Sequence, residues 1–194
     1  GKPKSFDAGK ARAIKGVVDV VAIPGGVAVL AKDTWTAKKG RDALSVEWDD
    51  SAAFKLGTDE MLARYQALGQ TPGLVARKDG DANAALAGAA KVLGASYDFP
   101  YLAHAAMEPM NCVIQRTADG LEVWNGEQFH TVDQGALAAM FGIPVDKVNI
   151  HTLYAGGSFG RRASTAVDYI REAGSIVKAL GEQGTHAKAP VKLV

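Results

Sequence analysis

Sulfur is scarce in this chain. The single cysteine, Cys112, excludes an internal disulfide framework and any zinc or iron–sulfur cluster held by cysteines alone, since each needs several thiolates. An electron-transfer cluster, where the chemistry requires one, lies elsewhere. Net charge is equally lacking: twenty-two basic side chains against twenty-one acidic ones leave +1, so no overall field draws the protein to nucleic acid or to an anionic membrane. No apolar run approaches the roughly 20 residues of a spanning helix, and the opening residues do not spell a basic region followed by a leader core. His104, His130, His151 and His186 are scattered without the paired spacing of a zinc site, and there is no internal repeat.

What is present is an ordinary globular composition, 47% hydrophobic and 22% charged over 194 residues, enough to bury a core in one domain or two small ones. Both ends read as cuts: Gly1 opens directly onto a basic turn, and the strand-like PVKLV at 190–194 has nothing after it. The chain is therefore expected to be a segment of a longer protein.

Residues 6–14, FDAGKARAI, suit a short helix with Asp7 near its start. The β-branched run 16–23 and the run 27–31 predict two strands joined by the Pro24-Gly25-Gly26 turn. A helix over 34–44, capped by Asp33 or Thr34, leads to an edge-type strand at 45–49. A polar, alanine-rich interval follows, with helices expected over 58–68 and 81–88 between breakers at 71–73 and 79–80. From Lys91, KVLGASYDF reads as a strand, and NCVIQRT and LEVWN form a hairpin through Ala118-Asp119-Gly120. An amphipathic helix over 132–141 closes at Gly142, a strand occupies 147–154, and a last helix runs from about 165 to 180. Hairpins with segregated helices predict an α+β fold in three parts: 1–50, a helical connector 51–90, and 91–194, the outer two holding separate small cores.

The strand ending at Tyr154 runs into Gly156-Gly157-Ser158-Phe159-Gly160-Arg161-Arg162. Glycines carry no Cβ and accept positive φ, so such a loop brings backbone N–H groups close to an anionic ligand. Alone it is also what a tight surface turn looks like, and it has neither the glycine spacing of a dinucleotide fingerprint nor the lysine and hydroxyl of a phosphate-binding loop. A solvated basic pair is likewise the usual reading of Arg161 and Arg162, and a small buried hydrophobe the better reading of Cys112.

The context of the loop is more specific. Over residues 97–162 there follow in order an aromatic strand leading to Met107-Glu108-Pro109, a hairpin, a strand ending in a Gln-bearing turn, a helix with Met140-Phe141-Gly142, and Gly-Gly-x-Phe-Gly. This series resembles the molybdopterin-binding region of the xanthine oxidase family of molybdenum hydroxylases. The spellings HAAMEPMN and FGRR look most like the isoquinoline 1-oxidoreductase beta subunit and membrane-associated aldehyde dehydrogenase branch, while DTWTAKKGRDALSVEWD is similar to that family's hammerhead domain. The resemblance implies a hammerhead-like small domain plus the first part of a molybdenum-cofactor-binding domain.

By the same resemblance, Gln128 falls where the family places a glutamine that hydrogen-bonds an oxo ligand of molybdenum, a role suited to a neutral amide N–H. Gly156, Gly157, Ser158, Phe159 and Gly160 would line the cofactor, with Arg161 or Arg162 near its phosphates. Ser158 departs from the more usual glycine, so its side chain either narrows the approach or adds a hydrogen bond. Ala163 stands where purine-oxidising members carry a substrate-orienting glutamate, which makes a purine a poor fit. The family's general-base glutamate is expected outside this chain, so no catalytic residue and no direct metal ligand is assigned. Glu108 is read as a structural hydrogen-bonding group, and His104 as the one histidine with a place near the pocket.

The activity so implied is oxidation of an N-heteroaromatic or an aldehyde with water-derived oxygen, using molybdopterin cytosine dinucleotide with molybdenum. The implied partners are an iron–sulfur small subunit, the remainder of the large subunit and a small-molecule substrate, with no nucleic acid. Relatives of this branch suggest a periplasmic or membrane-associated setting. The competing reading is a non-catalytic assembly or subunit-docking module. It is separated from the enzymatic one by whether Gln128 and the glycine loop converge on one surface.

Overall fold

A computed structural model describes residues 1–184 and 189–194, and it divides into two units, one of Gly1–Ala52 with His104–Val194 and one of Ala53–Ala103. His186 lies outside the described residues. In the larger unit, β1 (Lys2–Asp7) pairs antiparallel with β4 (Ser45–Asp49), and β2 (Val17–Ile23) with β3 (Gly26–Ala31). The single turn α1 (Gly9–Arg12) and the helix α2 (Thr34–Asp42) accompany them. Asp33 starts α2 as expected, its carboxylate accepting from Thr36 N–H and from Thr36 Oγ1, each at 2.8 Å.

Residues 6–14 depart from expectation. Phe6 lies opposite Val46 and Lys4 Nζ meets Glu47 Oε1 at 2.8 Å, so cross-strand pairing takes residues 2–7 into a strand and leaves only one helical turn. Gly9, at the start of that turn, adds little to a longer helix.

The sheet that positions the site is four-stranded in the order β7-β6-β5-β8. β5 (Cys112–Arg116) and β6 (Leu121–Gly126) form the expected hairpin, and β8 (Val191–Leu193) adds antiparallel to β5. β7 (Val148–Leu153) runs parallel to β6, reached through α5 (His130–Phe141). α5 stops at Gly142, whose φ of 64° is the left-handed cap foreseen for it. α6 (Asp168–Glu182) buries Tyr169, Ile170, Ala173, Ile176, Val177 and Leu180 along one face. At Gly174 a Cβ would come within 2.9 Å of both Leu137 Cδ2 and Met140 Sδ, so the missing side chain is what lets α5 lie against α6. Cys112, Ile114, Leu121, Val123, Leu137, Val148 and Ile170 fill the core between sheet and helices.

The expectation of separate small cores does not hold. Val21 of β2 is buried with Ile176 and Leu180 of α6, with Ile23, Ala28 and Leu30 packed around them. The three sheets stay distinct, but α6 offers apolar side chains to both the β2–β3 hairpin and the four-stranded sheet. The physical reason is the width of its buried stripe, which one sheet alone does not cover.

The second unit carries α3 (Thr58–Leu68) and α4 (Ala82–Ala87), where helices were expected, and neither buries a residue. Within it, the Tyr65 and Tyr101 hydroxyls lie 3.1 Å apart. The strand expected from Lys91 is absent. Residues 91–103 have no regular structure, and no described strand pairs with them, so their ladder groups have no partner that would hold them extended.

Candidate active site

The parallel strands β6 and β7 end side by side, with Gly126 opposite Leu153. The chain leaves β6 through Glu127, Gln128 and Phe129 into α5, and leaves β7 through Tyr154 and Ala155 into the glycine loop. The topology therefore places the Gln-bearing turn and the glycine loop at the same end of the sheet. Contact follows: Ser158 Oγ donates a hydrogen bond to Gln128 Oε1 and accepts one from Arg162 N–H at 3.0 Å. With its carbonyl oxygen taken by Ser158, the Gln128 side chain keeps its Nε2 donors without a protein partner among the described residues.

The loop backbone is unusual over four residues. Gly157, Phe159 and Gly160 have φ of 107°, 56° and 90°. A Cβ on Gly157 would meet the Ala106 Cβ at 3.1 Å in addition to the backbone strain. Phe159 takes the left-handed region without being glycine, its ring is largely exposed, and it tilts against His104 at a centroid distance of 6.2 Å. His104 thus borders the loop.

Glu108 braces this arrangement. Its Oε2 accepts from Gly156 N–H at 2.5 Å and its Oε1 from Asn111 Nδ2 at 2.6 Å. These hydrogen bonds, with the nearby Arg162 and Lys192 charges, hold its carboxyl below the ordinary value of 4.5. It is an ionised strut, in line with the structural role read for it.

Arg162 departs from its sequence reading: it is neither a solvated cation nor free for a phosphate, and its bracing role was missed. It is 1% exposed, Nε donates to Gly157 O at 3.3 Å, and Nη1 donates to Gly126 O at 3.4 Å. Nη2 lies 3.4 Å from Glu108 Oε2, close enough for an ion pair but without an aligned hydrogen bond. One guanidinium so ties the end of β6, the glycine loop and the Met107-Glu108-Pro109 segment together. No signal in the sequence separates it from Arg161.

Arg161 is the more exposed of the two, and its guanidinium grips Asp168 at 3.1 and 2.6 Å. Asp168 is the first residue of α6, preceded by Val167 at φ 54°. The last helix therefore begins at 168 rather than near 165, and its N-terminus does not follow directly on the glycines. The turns at 158–163, with Arg161 N–H to Ser158 O at 3.0 Å and Ala163 N–H to Gly160 O at 3.1 Å, occupy the interval.

The other sequence candidates lie apart from this loop. Cys112 is buried, and burial pushes its thiol up to about 12, which excludes a nucleophile. His151 stacks on Trp124 at 5.0 Å and meets Glu122 Oε2 at 2.6 Å. His130 Nδ1 is 3.4 Å from Thr152 Oγ1. Among the described residues no group of His, Cys, Asp and Glu is arranged to hold a metal ion.

Residues 68–181, more than half of the chain, match the molybdopterin cofactor-binding domain. The chain belongs to that family. It is the domain of the xanthine oxidase family expected from the ordered motifs between Tyr97 and Arg162. The chain is 33% identical over 190 residues to the isoquinoline 1-oxidoreductase subunit beta of Brevundimonas diminuta, covering 93% of this chain and 24% of that protein. It is 30% identical over 139 residues to the aldehyde oxidoreductase molybdenum-binding subunit PaoC of Escherichia coli O157:H7, covering 71% of this chain and 18% of that one. It thus spans a quarter or less of these relatives. Among solved structures, quinoline 2-oxidoreductase from Pseudomonas putida 86 superposes over 98% of this chain and 29% of that one, with a TM-score of 0.64 at 16% identity. That likeness establishes a shared mixed α/β fold.

Proposed function

We propose that this chain forms one wall of the cofactor site in the large subunit of a molybdenum hydroxylase that oxidises an N-heteroaromatic or an aldehyde with water-derived oxygen. The observation that carries the reading is the contact of Ser158 with Gln128, which puts the amide and the glycine loop on one surface. The donor set fits the group. Gln128 presents neutral N–H donors, Gly156 and Gly157 pack without side chains against Glu108 and Ala106, and the buried Arg162 braces the loop without entering the surface.

Gln128 would steady the metal end of the cofactor through Nε2, and residues 156–160 would line the pterin and dithiolene region, with Phe159 covering it. Arg161 uses part of its five-donor fork on Asp168, and its remaining N–H groups would serve a phosphate of molybdopterin cytosine dinucleotide. When bound, the cofactor would supply the two-electron oxidation, and this chain's residues would orient it and limit access of water. The general-base glutamate belongs to other parts of the subunit, and iron–sulfur clusters on a partner subunit would carry the electrons onward. Residues 1–50 would correspond to the hammerhead portion, 51–90 to a connector and 91–194 to the first part of the cofactor domain, in a periplasmic or membrane-associated enzyme.

The docking reading has one observation in its favour. Tyr97, Phe99, Tyr101 and Leu102 are 77% to 79% exposed, more apolar surface than a short segment ordinarily shows to water. The two readings are compatible, since a cofactor wall also needs the rest of its subunit against it. Gln128→Ala and Gly157→Ala in the assembled enzyme separate them. The enzymatic reading expects molybdenum content or turnover in a dye-linked assay to fall about tenfold or more, as when a group that orients a metal ligand is lost. Unchanged content and turnover in both variants would leave docking alone.

A further inference from the structure

Behind Gln128 lies a polar cluster that the proposed site does not use. Asp133 on α5 and Asn125 on β6 are each 1% exposed. Asn125 Nδ2 donates to Glu127 Oε2 at 2.9 Å and to the Tyr169 hydroxyl at 3.0 Å. The other Glu127 oxygen, Oε1, accepts from the backbone N–H of Gln128 at 3.1 Å and of Phe129 at 2.9 Å. Glu127 is therefore the clasp of the turn that carries the amide. The Asp133 carboxyl is within hydrogen-bonding reach of Glu127, and its Oδ2 is buried without any donor to meet it.

Two carboxyl groups in such contact cannot both be ionised at acceptable cost, and one proton between them turns a repulsion into a hydrogen bond. The surroundings decide which one holds it. Glu127 is less buried and already accepts from three N–H donors, so it is the accepting partner of the pair. Around Asp133 stand Cys112 from β5 and Asp168 and Tyr169 from α6, Glu172 of α6 lies near Cys112, and His130 on the same helix as Asp133 meets Thr152. The neighbouring cations are engaged elsewhere, Arg161 by Asp168 and Arg162 by the Gly126 and Gly157 carbonyls and Glu108.

We infer that Asp133 is a positioning residue for Gln128: it keeps its proton, donates it to the Glu127 carboxylate, and so fixes the turn that aims the amide. The role of the aimed amide rests on the function proposed above, whereas the latch itself does not. Burial, and then the hydrogen bond and charge of Glu127, push Asp133 up to about 8, so the acid stays protonated through neutral pH. Rising pH through that value puts a second negative charge against Glu127 and releases the turn.

The test uses the assembled enzyme as wild type, Asp133→Asn and Asp133→Ala. Infrared spectroscopy reports the C=O stretch of a protonated carboxylic acid, and hydrogen exchange reports the peptide holding residues 127–131. The expected wild-type result is a protonated-acid band at neutral pH that titrates near 8. Over the same window, exchange at 128 and 129 should quicken about tenfold beyond its intrinsic pH dependence, as expected for one titrating group. Asp133→Asn should lose the band and keep slow exchange at every pH, because its amide still donates to Glu127. Asp133→Ala should exchange fast throughout. A wild-type sample without the band, or one whose turn is insensitive to pH, overturns the inference even if the alanine variant fails to fold. Should the latch behave as described while Gln128→Ala leaves molybdenum content and turnover intact, it is the reading of the amide that fails.

Discussion

The Arg162 guanidinium, closed off from solvent, stands 3.4 Å from a Glu108 carboxylate that is about one third exposed. The charge is buried on one side and wet on the other, and the arginine also donates to the carbonyls of Gly157 and Gly126. Removing it strands those acceptors and leaves a cavity. Arg162→Ala is expected to destabilise the larger unit toward the lower end of roughly 3–5 kcal/mol, since the carboxylate left behind keeps some water. Arg162→Lys should recover little, because an ammonium cannot span three acceptors as a planar fork does. Urea titration followed by near-ultraviolet circular dichroism checks both, and an Arg162→Ala midpoint equal to wild type would reject the strut.

The partner gives a pH prediction. Glu108 is held below its ordinary value in the folded protein by Asn111 and Gly156, with help from Arg162. A carboxyl lowered on folding adds stability above its unfolded pKa, and that stability is lost as pH falls through the folded value. Acid unfolding of wild type should therefore steepen below about pH 4.5, and Glu108→Gln should flatten that limb while lowering stability at neutral pH. Parallel acid limbs in the two proteins would show that the carboxylate is not engaged.

Ser158 yields a third prediction, because its hydroxyl joins Gln128 to the Arg162 N–H. Ser158→Ala deletes both bonds at little change in volume, a loss of about 0.5–1.5 kcal/mol each by ordinary hydrogen-bond magnitudes. The amide of Gln128 would then be free to turn. Side-chain amide resonances should broaden in the variant, and an unchanged Gln128 side chain would show that Ser158 only fills space.

Much of this was legible beforehand. The hairpin at Ala118-Asp119-Gly120, the left-handed stop at Gly142 and the strand leading into the glycine loop all rest on local chemistry, and local chemistry is written in a short window. Convergence of Gln128 with Ser158 was expected only through the ordered motifs, and it is the parallel pairing of β6 with β7 that produces it. What could not be read was long-range. Nothing near Arg162 distinguishes it from Arg161, yet one is buried among carbonyls and the other sits at the start of α6. Residues 2–7 became a strand because Val46 and Glu47 lie across from them, forty residues away in sequence. The Glu127–Asp133 contact escaped notice because a carboxylate pair is invisible until a fold buries it.

Selectivity in the complete enzyme supplies a fourth prediction. Ala163 ends the turn after the glycine loop, its N–H bonded to Gly160 O at 3.1 Å, and its methyl group offers no hydrogen bond. A purine would lose an orienting partner there, whereas a flat apolar heterocycle or an aldehyde would not. Xanthine should be turned over at least about 100-fold more slowly, in kcat/KM, than isoquinoline or an aromatic aldehyde, the order of discrimination a site lacking a required hydrogen bond shows. Comparable values for the two substrate classes would refute it.

The last prediction concerns the 194 residues alone. The larger unit has a closed core built on β5, β6, α5 and α6, so the isolated chain should fold at least there. It should nevertheless hold no molybdenum and oxidise nothing. Gln128 and residues 156–160 supply one wall, and the chain spans only 24% of its isoquinoline-oxidising relative. Capturing a large cofactor must offset lost translational and rotational freedom, estimated at about 4–15 kcal/mol, and one open wall offers few contacts to do so. The general base is also expected elsewhere in the subunit, and its absence alone removes a proton-transfer contribution of roughly 100-fold to 10,000-fold in rate. Metal analysis and a dye-linked oxidation assay on the purified chain test the two halves separately. Stoichiometric molybdenum would mean that the cofactor contacts are more complete than one wall, and turnover matching an intact complex would place the base within these residues.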